Sequence, residues 1–381
     1  MTIILKCKLN IAVNTRLLLH NKLEGIGRFS FETLKRITRN HPEHQFIFFF
    51  DRPWHEEFIF SDTITPVALF PQARHPFLWY WWFEFSVAAA LEKYKADIFL
   101  SPDGYLSLST DVPQIPVIHD LNFEHYPQDL PYLYSKYYRH YFPKYAKKAA
   151  RIATVSEFSK KDIVQQYGIA ADKIDVVYNG CNENFKPVTV EVKEETKKKF
   201  SKACPYFVYV GAQHQRKNLQ NLFRAFDEYK MDGSNYKLLI SGQKKWWTSE
   251  MEEAYSGMQH KDDVIFTGRL SEEDLVNVLA SAEALVYISY FEGFGIPVVE
   301  AMRSNVPVIC ANATSLPEIA GKAALLVNPF AVDEIAAAMK KVTTDEHLRN
   351  QLIRGGQEQS RQFTWDASAD KLWQTIVKTK L

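Results

Sequence analysis

Two carboxylates, Glu292 and Glu300, flank the stretch Gly293-Phe294-Gly295-Ile296-Pro297, and this is the part of the chain best equipped for chemistry. Glycines on both sides of Phe294 let the backbone turn tightly and approach a ligand, presenting amide N–H groups at a positive helix end. A phosphate suits that cradle. A carboxylate only accepts hydrogen bonds, which suits the hydroxyls of a sugar. The structural alternative is that Glu300 complements a helix dipole and Glu292 caps a solvated loop. Spacing alone does not choose between them.

A strand, a loop and a helix must position these groups. Ala284-Leu285-Val286-Tyr287-Ile288-Ser289 is a short continuous apolar run, as expected of a parallel strand buried on both faces, and Pro297 suits the first turn of a helix. Glu292 then falls at the carboxyl end of a strand, where ligands bind in open α/β sheets. The same pattern recurs after Tyr206–Gly211, where Arg216 and Lys217 stand near a helix start. Two cations there can neutralise a diphosphate, whereas as ordinary surface charges they would oppose the dipole. It recurs again at Pro116–Leu121, which carries His119 and Asp120. His119 can hydrogen-bond a sugar hydroxyl or simply satisfy a local partner, and Asp120 can hold its ring or cap the next segment. After a first strand at Asn10–Val13, Gly25, Gly27 and Arg28 open a helical pattern. They fit either a phosphate or acceptor contact or a tight turn that needs glycine. Val264–Gly268 ends beside Arg269, and Ser271 with Asp274 then makes a helix start.

Further apolar runs at 45–50, 96–101, 152–155, 174–178, 236–241, 306–310 and 324–327 alternate with helical patterns through both halves, which predicts two doubly wound α/β domains. A chain of 381 residues is long for one core. The expected division is a first domain over 1–185, a connection over 186–202 rich in Lys, Glu and Thr, a second domain over 203–360, and a final helix over 361–381. Residues 77–91 are densely aromatic but contain Glu84 and are short of a spanning helix. Trp79, Trp81, Trp82 and Phe83 read as core in preference to a lipid-facing surface. The stretch Tyr132–Arg151, interrupted at Pro143, is basic and tyrosine-rich. It fits a solvated helix or a face for an anionic membrane or pyrophosphate-linked acceptor. With 46 Lys and Arg against 45 Asp and Glu, the formal net charge of +1 argues against wholesale nucleic-acid binding. The scattered Cys7, Cys181, Cys204 and Cys310 have neither metal nor disulfide spacing, and the lysine-interrupted start is a poor signal peptide. A cytoplasmic setting is expected, with contact at the inner membrane face open.

Glu292 and Glu300, with Gly-Phe-Gly-Ile-Pro between them, resemble the E-x7-E motif of retaining GT-B glycosyltransferases, most closely those of glycosyltransferase family 4. The resemblance covers nearly the whole chain. It implies an α/β GT-B fold of two Rossmann-like domains facing an interdomain cleft, with the final helix crossing back to the first domain. It implies that Glu292 contacts the donor sugar, Glu300 the nucleotide ribose, Arg216 and Lys217 the donor diphosphate, and His119 the sugar and acceptor. Gly293, Phe294 and Gly295 would cradle the phosphates, Gly268 and Arg269 would lie beside the base, and Gly25 and Gly27 would face the cleft.

The activity so implied is metal-independent transfer of a hexose, with mannose mildly preferred, from GDP-mannose or a UDP-hexose to a saccharide or lipid-linked acceptor in surface polysaccharide biosynthesis. No separate cofactor and no metal ligand set is expected; the D-x-D motif of the GT-A fold is missing from the sequence. One rival is a GT-B epimerase or inverting transferase, which would need a catalytic carboxylate or histidine base in the first domain and which a retained product would exclude. Another is a noncatalytic nucleotide-sugar sensor or scaffold, which would bind donor without turnover.

Overall fold

The computed structural model describes residues 8–231, 233–244 and 246–380. The start read above as a poor signal peptide, with Cys7, falls on residues 1–7 and lies outside them. The chain forms two compact units, Met1–Gly180 with Thr364–Leu381, and Cys181–Phe363. Each is built on its own parallel sheet.

The first sheet has seven strands: β1 (Asn10–Asn14), β2 (Gln45–Phe50), β3 (Ile64–Ala68), β4 (Ile98–Ser101), β5 (Gln114–Ile118), β6 (Ile152–Thr154) and β7 (Ile174–Val176), in the order β3-β2-β1-β4-β5-β6-β7. The second has six: β8 (Tyr206–Val210), β9 (Lys237–Ser241), β10 (Val264–Gly268), β11 (Ala284–Tyr287), β12 (Val308–Ala311) and β13 (Ala324–Val327), in the order β10-β9-β8-β11-β12-β13. All the strand pairs are parallel. Helices must therefore cover both faces, which is why the strands are apolar throughout instead of alternating. Phe46, Phe48, Phe49 and Phe50 are buried together in β2, each contributing about 1.5–3 kcal/mol of burial. In both sheets the chain starts in the middle, winds outward and then resumes on the other side. The reversal falls between β1 and β4 in the first unit and between β8 and β11 in the second.

Several sequence expectations change. The segment over 186–202 is not a bare connection: Val190–Ser201 is a helix capped by Thr189, and it belongs to the second unit. Its Lys and Glu residues form a solvated face, with Lys199 paired to Asp274 at 2.7 Å. The chain passes between units at Gly180/Cys181 and again at Phe363/Thr364, a few residues from the expected 185 and 360. Pro143 does not interrupt the basic helix, which runs unbroken over Tyr132–Lys148. The last helix, Trp365–Thr379, packs in the first unit against the Gly25–Asn40 helix, and Lys378 pairs with Asp175 at 2.7 Å. A side chain at Gly180 would put its Cβ 2.3 Å from the Trp365 amide nitrogen, so only glycine lets this helix lie there.

Candidate active site

The Glu292 cluster assembles at the carboxyl ends of β8 and β11, the reversal point of the second sheet. Beyond β8 the chain makes one turn of 3-10 helix, Gln215–Lys217, and enters the Leu219–Lys230 helix through Asn218 in a left-handed conformation, φ 60°. Asn218 Nδ2 donates to the carbonyls of Ile288 at 3.2 Å and Pro329 at 2.6 Å, which ties this turn to the loop after β11. The turn thereby aims Arg216 and Lys217 at one carboxylate. Arg216 donates to Glu292 Oε2 at 2.8 Å and to the Phe291 carbonyl at 2.9 Å. Lys217 donates to Glu292 Oε1 and, at 2.7 Å, to the Tyr287 hydroxyl, which itself donates to Glu292 Oε1 at 2.9 Å.

Glu292 is buried, which alone would raise its pKa, but the charges and hydrogen bonds of Arg216 and Lys217 win and hold it down at about 2. It stays ionised at any physiological pH. Its backbone is held as well: the Glu292 amide donates to Thr314 Oγ1 at 3.1 Å, and Ser315 Oγ donates to the Glu292 carbonyl at 2.9 Å. Two cations thus meet one carboxylate at the sheet's reversal point. Tyr287, invisible to motif reading, is part of it. A tyrosine ending a buried strand one loop before the paired glutamate was the available signal.

The glycine loop follows. Gly295 has φ 96°, which favours glycine, and a Cβ there would press on Leu316 Cδ2 at 2.5 Å. The Phe294 ring is buried edge-on against Phe363, with centroids 5.4 Å apart, so a ligand would meet the backbone of this residue and not its ring. Pro297 lies in the first turn of the Ile296–Arg303 helix, as read, and that turn has no acidic residue. Glu300 stands in the second turn and is buried, which weakens the dipole reading of it.

A cavity of about 820 Å³ opens at the ends of β9 and β10, lined by Gln213, Gly242, Trp247, Phe266, Gly268 and Arg269 among others. Its floor is glycine for a reason. A Cβ at Gly242 would fall 1.9 Å from the Gly211 carbonyl oxygen, and Gly268 has φ 68°. Gln213 is buried; its Nε2 donates to the Gly242 carbonyl at 3.2 Å, while its Oε1 has no hydrogen-bond partner among the described residues. An acceptor with nothing to accept from is costly in a dry site and suits a ligand N–H or O–H. Sequence reading missed Gln213 and Trp247.

In the first unit, His119 follows β5. Its Nε2–H donates to the Pro102 carbonyl at 2.8 Å, which assigns Nδ1 as the acceptor. Burial outweighs the Pro102 hydrogen bond and the nearby Asp120 and Asp103 and lowers the His119 pKa, so the ring is neutral at physiological pH. Asp120 accepts from the Asn122 amide at 3.0 Å and so caps the next turn. The Phe29 ring meets His119 edge-on at 5.2 Å, which brings the first turns of the Gly25–Asn40 helix beside the imidazole. Neither Gly25 nor Gly27 has a positive φ. Gly27 is needed because a Cβ would lie 2.7 Å from the Leu17 carbonyl, while Gly25 has open space around it. The tight-turn reading is thus replaced by close packing at Gly27 and backbone access at Gly25.

Residues 23–185 match the model of Glycosyltransferase Family 4, and residues 192–359 match that of Glycosyl transferases group 1. The O-antigen chain mannosyltransferase B of Escherichia coli is 30% identical over 281 residues, 73% of this chain and 74% of that protein. The chain belongs to glycosyltransferase family 4. The O-antigen chain mannosyltransferase RfbU of Salmonella typhimurium is also 30% identical to this glycosyltransferase, over 60% of each chain. Among solved structures, Anabaena HepE in complex with UDP-glucose superposes with a TM-score of 0.76 at 16% identity, over 97% of this chain and 100% of that one. Sucrose-phosphate synthase from Thermosynechococcus elongatus gives 0.74 at 16% identity, over 97% and 99%. The fold of this family 4 enzyme is GT-B. Among the described residues, no helix is long and apolar enough to cross a membrane.

Proposed function

We propose that this glycosyltransferase moves a mannosyl group from GDP-mannose to a saccharide or lipid-linked acceptor in surface polysaccharide assembly, with retention of configuration and without a metal ion. The observation that carries the reading is the convergence of Arg216 and Lys217 on Glu292 at the β8/β11 reversal point. Two curated relatives named as O-antigen mannosyltransferases support the sugar and the pathway.

In this reading the diphosphate takes its place against Arg216, Lys217 and the amides of residues 293–295. Glu300 accepts from the ribose hydroxyls, and the base enters the cavity by Gly268 and Arg269. Glu292 already accepts from three donors, about three of the four lone-pair directions of a carboxylate. A sugar hydroxyl therefore takes its remaining direction or displaces Tyr287. In the transfer step the acceptor oxygen bonds to the anomeric carbon on the face the diphosphate leaves. The bond from that carbon to the diphosphate oxygen breaks, and the acceptor proton passes to that oxygen. Negative charge grows on the diphosphate, where the two cations stabilise it. His119, neutral and with Nδ1 accepting, positions a hydroxyl. A working place at the inner face of a membrane belongs to the same reading.

The test is slow hydrolysis of a panel of nucleotide sugars, with and without chelator, using Glu300→Ala and Arg216→Ala as controls. GDP-mannose should be hydrolysed fastest, chelator should change nothing, and both variants should be impaired. If every donor failed, or if both variants matched the parent, the site would be wrong; if a UDP-hexose were fastest, the donor would be wrong.

A further inference from the structure

The aromatic stretch at 77–85 divides into two faces. Trp79, Trp82 and Phe83 are buried, and the indole N–H groups of Trp79 and Trp82 donate to the carbonyls of Ala73 at 2.8 Å and Leu69 at 3.2 Å. Between the short Pro76–Trp81 helix and the one that follows, residues Trp82–Val87 form a π-helix. Its Glu84 turns inward and accepts from the Leu108 amide and, at 2.6 Å, from Ser109 Oγ. The other face is left outside. Phe77, Trp81 and Phe85 are 66%, 47% and 50% exposed, and Phe70, from the preceding loop, is 67% exposed. The reading of Trp79, Trp81, Trp82 and Phe83 as core holds for three of the four and fails for Trp81.

These rings are contiguous. Trp81 and Phe85 lie 4.7 Å apart, Tyr80 meets Phe85 at 6.2 Å, and Tyr80 meets Tyr141 at 6.0 Å, which joins the patch to the Tyr132–Lys148 helix. That helix adds Tyr132 and Leu133, 74% and 54% exposed. Lys136 and Lys144 stand over the rings of Tyr132 and Tyr141, at 5.9 and 5.4 Å. Charge on this face is mainly positive. Between residues 63 and 91 the sole acidic residue is Glu84, which is buried, and residues 132–148 hold four lysines and an arginine but no carboxylate. Arg139 pairs with Glu124 at 3.3 Å and Lys148 with Asp111 at 3.4 Å.

We propose that this face docks on an anionic phospholipid bilayer, with Phe77, Trp81 and Phe85 at the acyl boundary and Lys136 and Lys144 among the headgroups. Apolar rings bordered by tyrosines and unopposed cations match an interface that is greasy below and negative above. A second copy of the chain fits poorly. A two-fold contact sets each patch against itself and would bring like-charged helices together. The inference deepens the lipid-linked-acceptor reading and rests on it for why a bilayer is needed. Vesicle binding is measured without transfer, so either can fail alone.

The experiment is cosedimentation of the full chain with phosphatidylglycerol-containing vesicles and with pure phosphatidylcholine vesicles. The parent should bind the anionic vesicles and lose that binding in high salt. The double variants Trp81→Ser/Phe85→Ser and Lys136→Glu/Lys144→Glu should each bind about tenfold more weakly or worse. Their GDP-mannose hydrolysis and melting temperature should match the parent, which separates lost docking from lost folding. No binding to either vesicle, equal binding to both, or variants that bind like the parent would overturn the proposal. So would a concentration-dependent dimer in sedimentation velocity that Trp81→Ser/Phe85→Ser abolishes, since the face would then belong to a second copy.

Discussion

The two sheets reverse direction at equivalent places, and each reversal point carries a cation facing a carboxylate. In the first unit Arg16, just past β1, donates to Asp103, just past β4, at 2.6 Å. In the second, Arg216 and Lys217 past β8 meet Glu292 past β11. The surroundings differ. Arg16 is closed in by the rings of Tyr105 at 4.3 Å and of Trp79 and Phe83 at 5.7 Å, and the Arg16 and Asp103 side chains are 8% and 4% exposed. Arg216 keeps 25% of its side chain exposed. One crevice has been filled with aromatic packing and the other left open, so the fold supplies the location and the neighbours decide whether the pair is structural or available to a ligand.

That contrast can be broken experimentally. Arg16→Ala should unfold the first unit more easily by about 3–5 kcal/mol, because it strands Asp103 without its buried partner, yet leave nucleotide binding intact. Thermal melting and nucleotide titration check the two halves. Arg216→Ala should slow donor turnover by roughly 10²–10³-fold and cost less stability than Arg16→Ala, because Lys217 stays paired with Glu292. Equal effects of both variants on turnover would erase the distinction.

Acid sharpens it further. The folded pKa of Glu292 lies below its ordinary value, so the stabilisation is present above about pH 4.5 and is lost as pH falls toward 2. The full effect is roughly 3 kcal/mol, and Glu292→Gln should lack that part of the acid dependence in denaturant melts at stepped pH. The smallest effect expected is at the first helix. Gly27→Ala should cost about 1–3 kcal/mol by pressing on the Leu17 carbonyl, whereas Gly25→Ala should be nearly neutral in chemical denaturation.

Most of the architecture was legible because buried parallel strands announce themselves as unbroken apolar runs, as at Phe46–Phe50 and Ala284–Tyr287. β3 was not seen: it carries Pro66, which breaks a strand pattern and is tolerated there because β3 lies at the sheet edge. The Val190–Ser201 helix was read as a connection because its charged face outweighs the few groups it buries. In the site, residues next to glycines or at strand ends were found. Tyr287, Gln213 and Arg16 were not, since what distinguishes them is a partner, or the lack of one, far away in sequence. The split within the Trp79–Phe85 run was likewise out of reach, because a π-helix shifts which residues face inward.

The central claim is that the edge of the second unit alone holds the nucleotide diphosphate. Its most direct test is calorimetric titration of GDP into the parent, Lys217→Ala, Glu300→Ala and His119→Ala proteins. The account predicts binding that the Lys217 and Glu300 variants lose and that His119→Ala retains while losing transfer. Undiminished binding in the Lys217 and Glu300 variants, or binding abolished by His119→Ala, would contradict it.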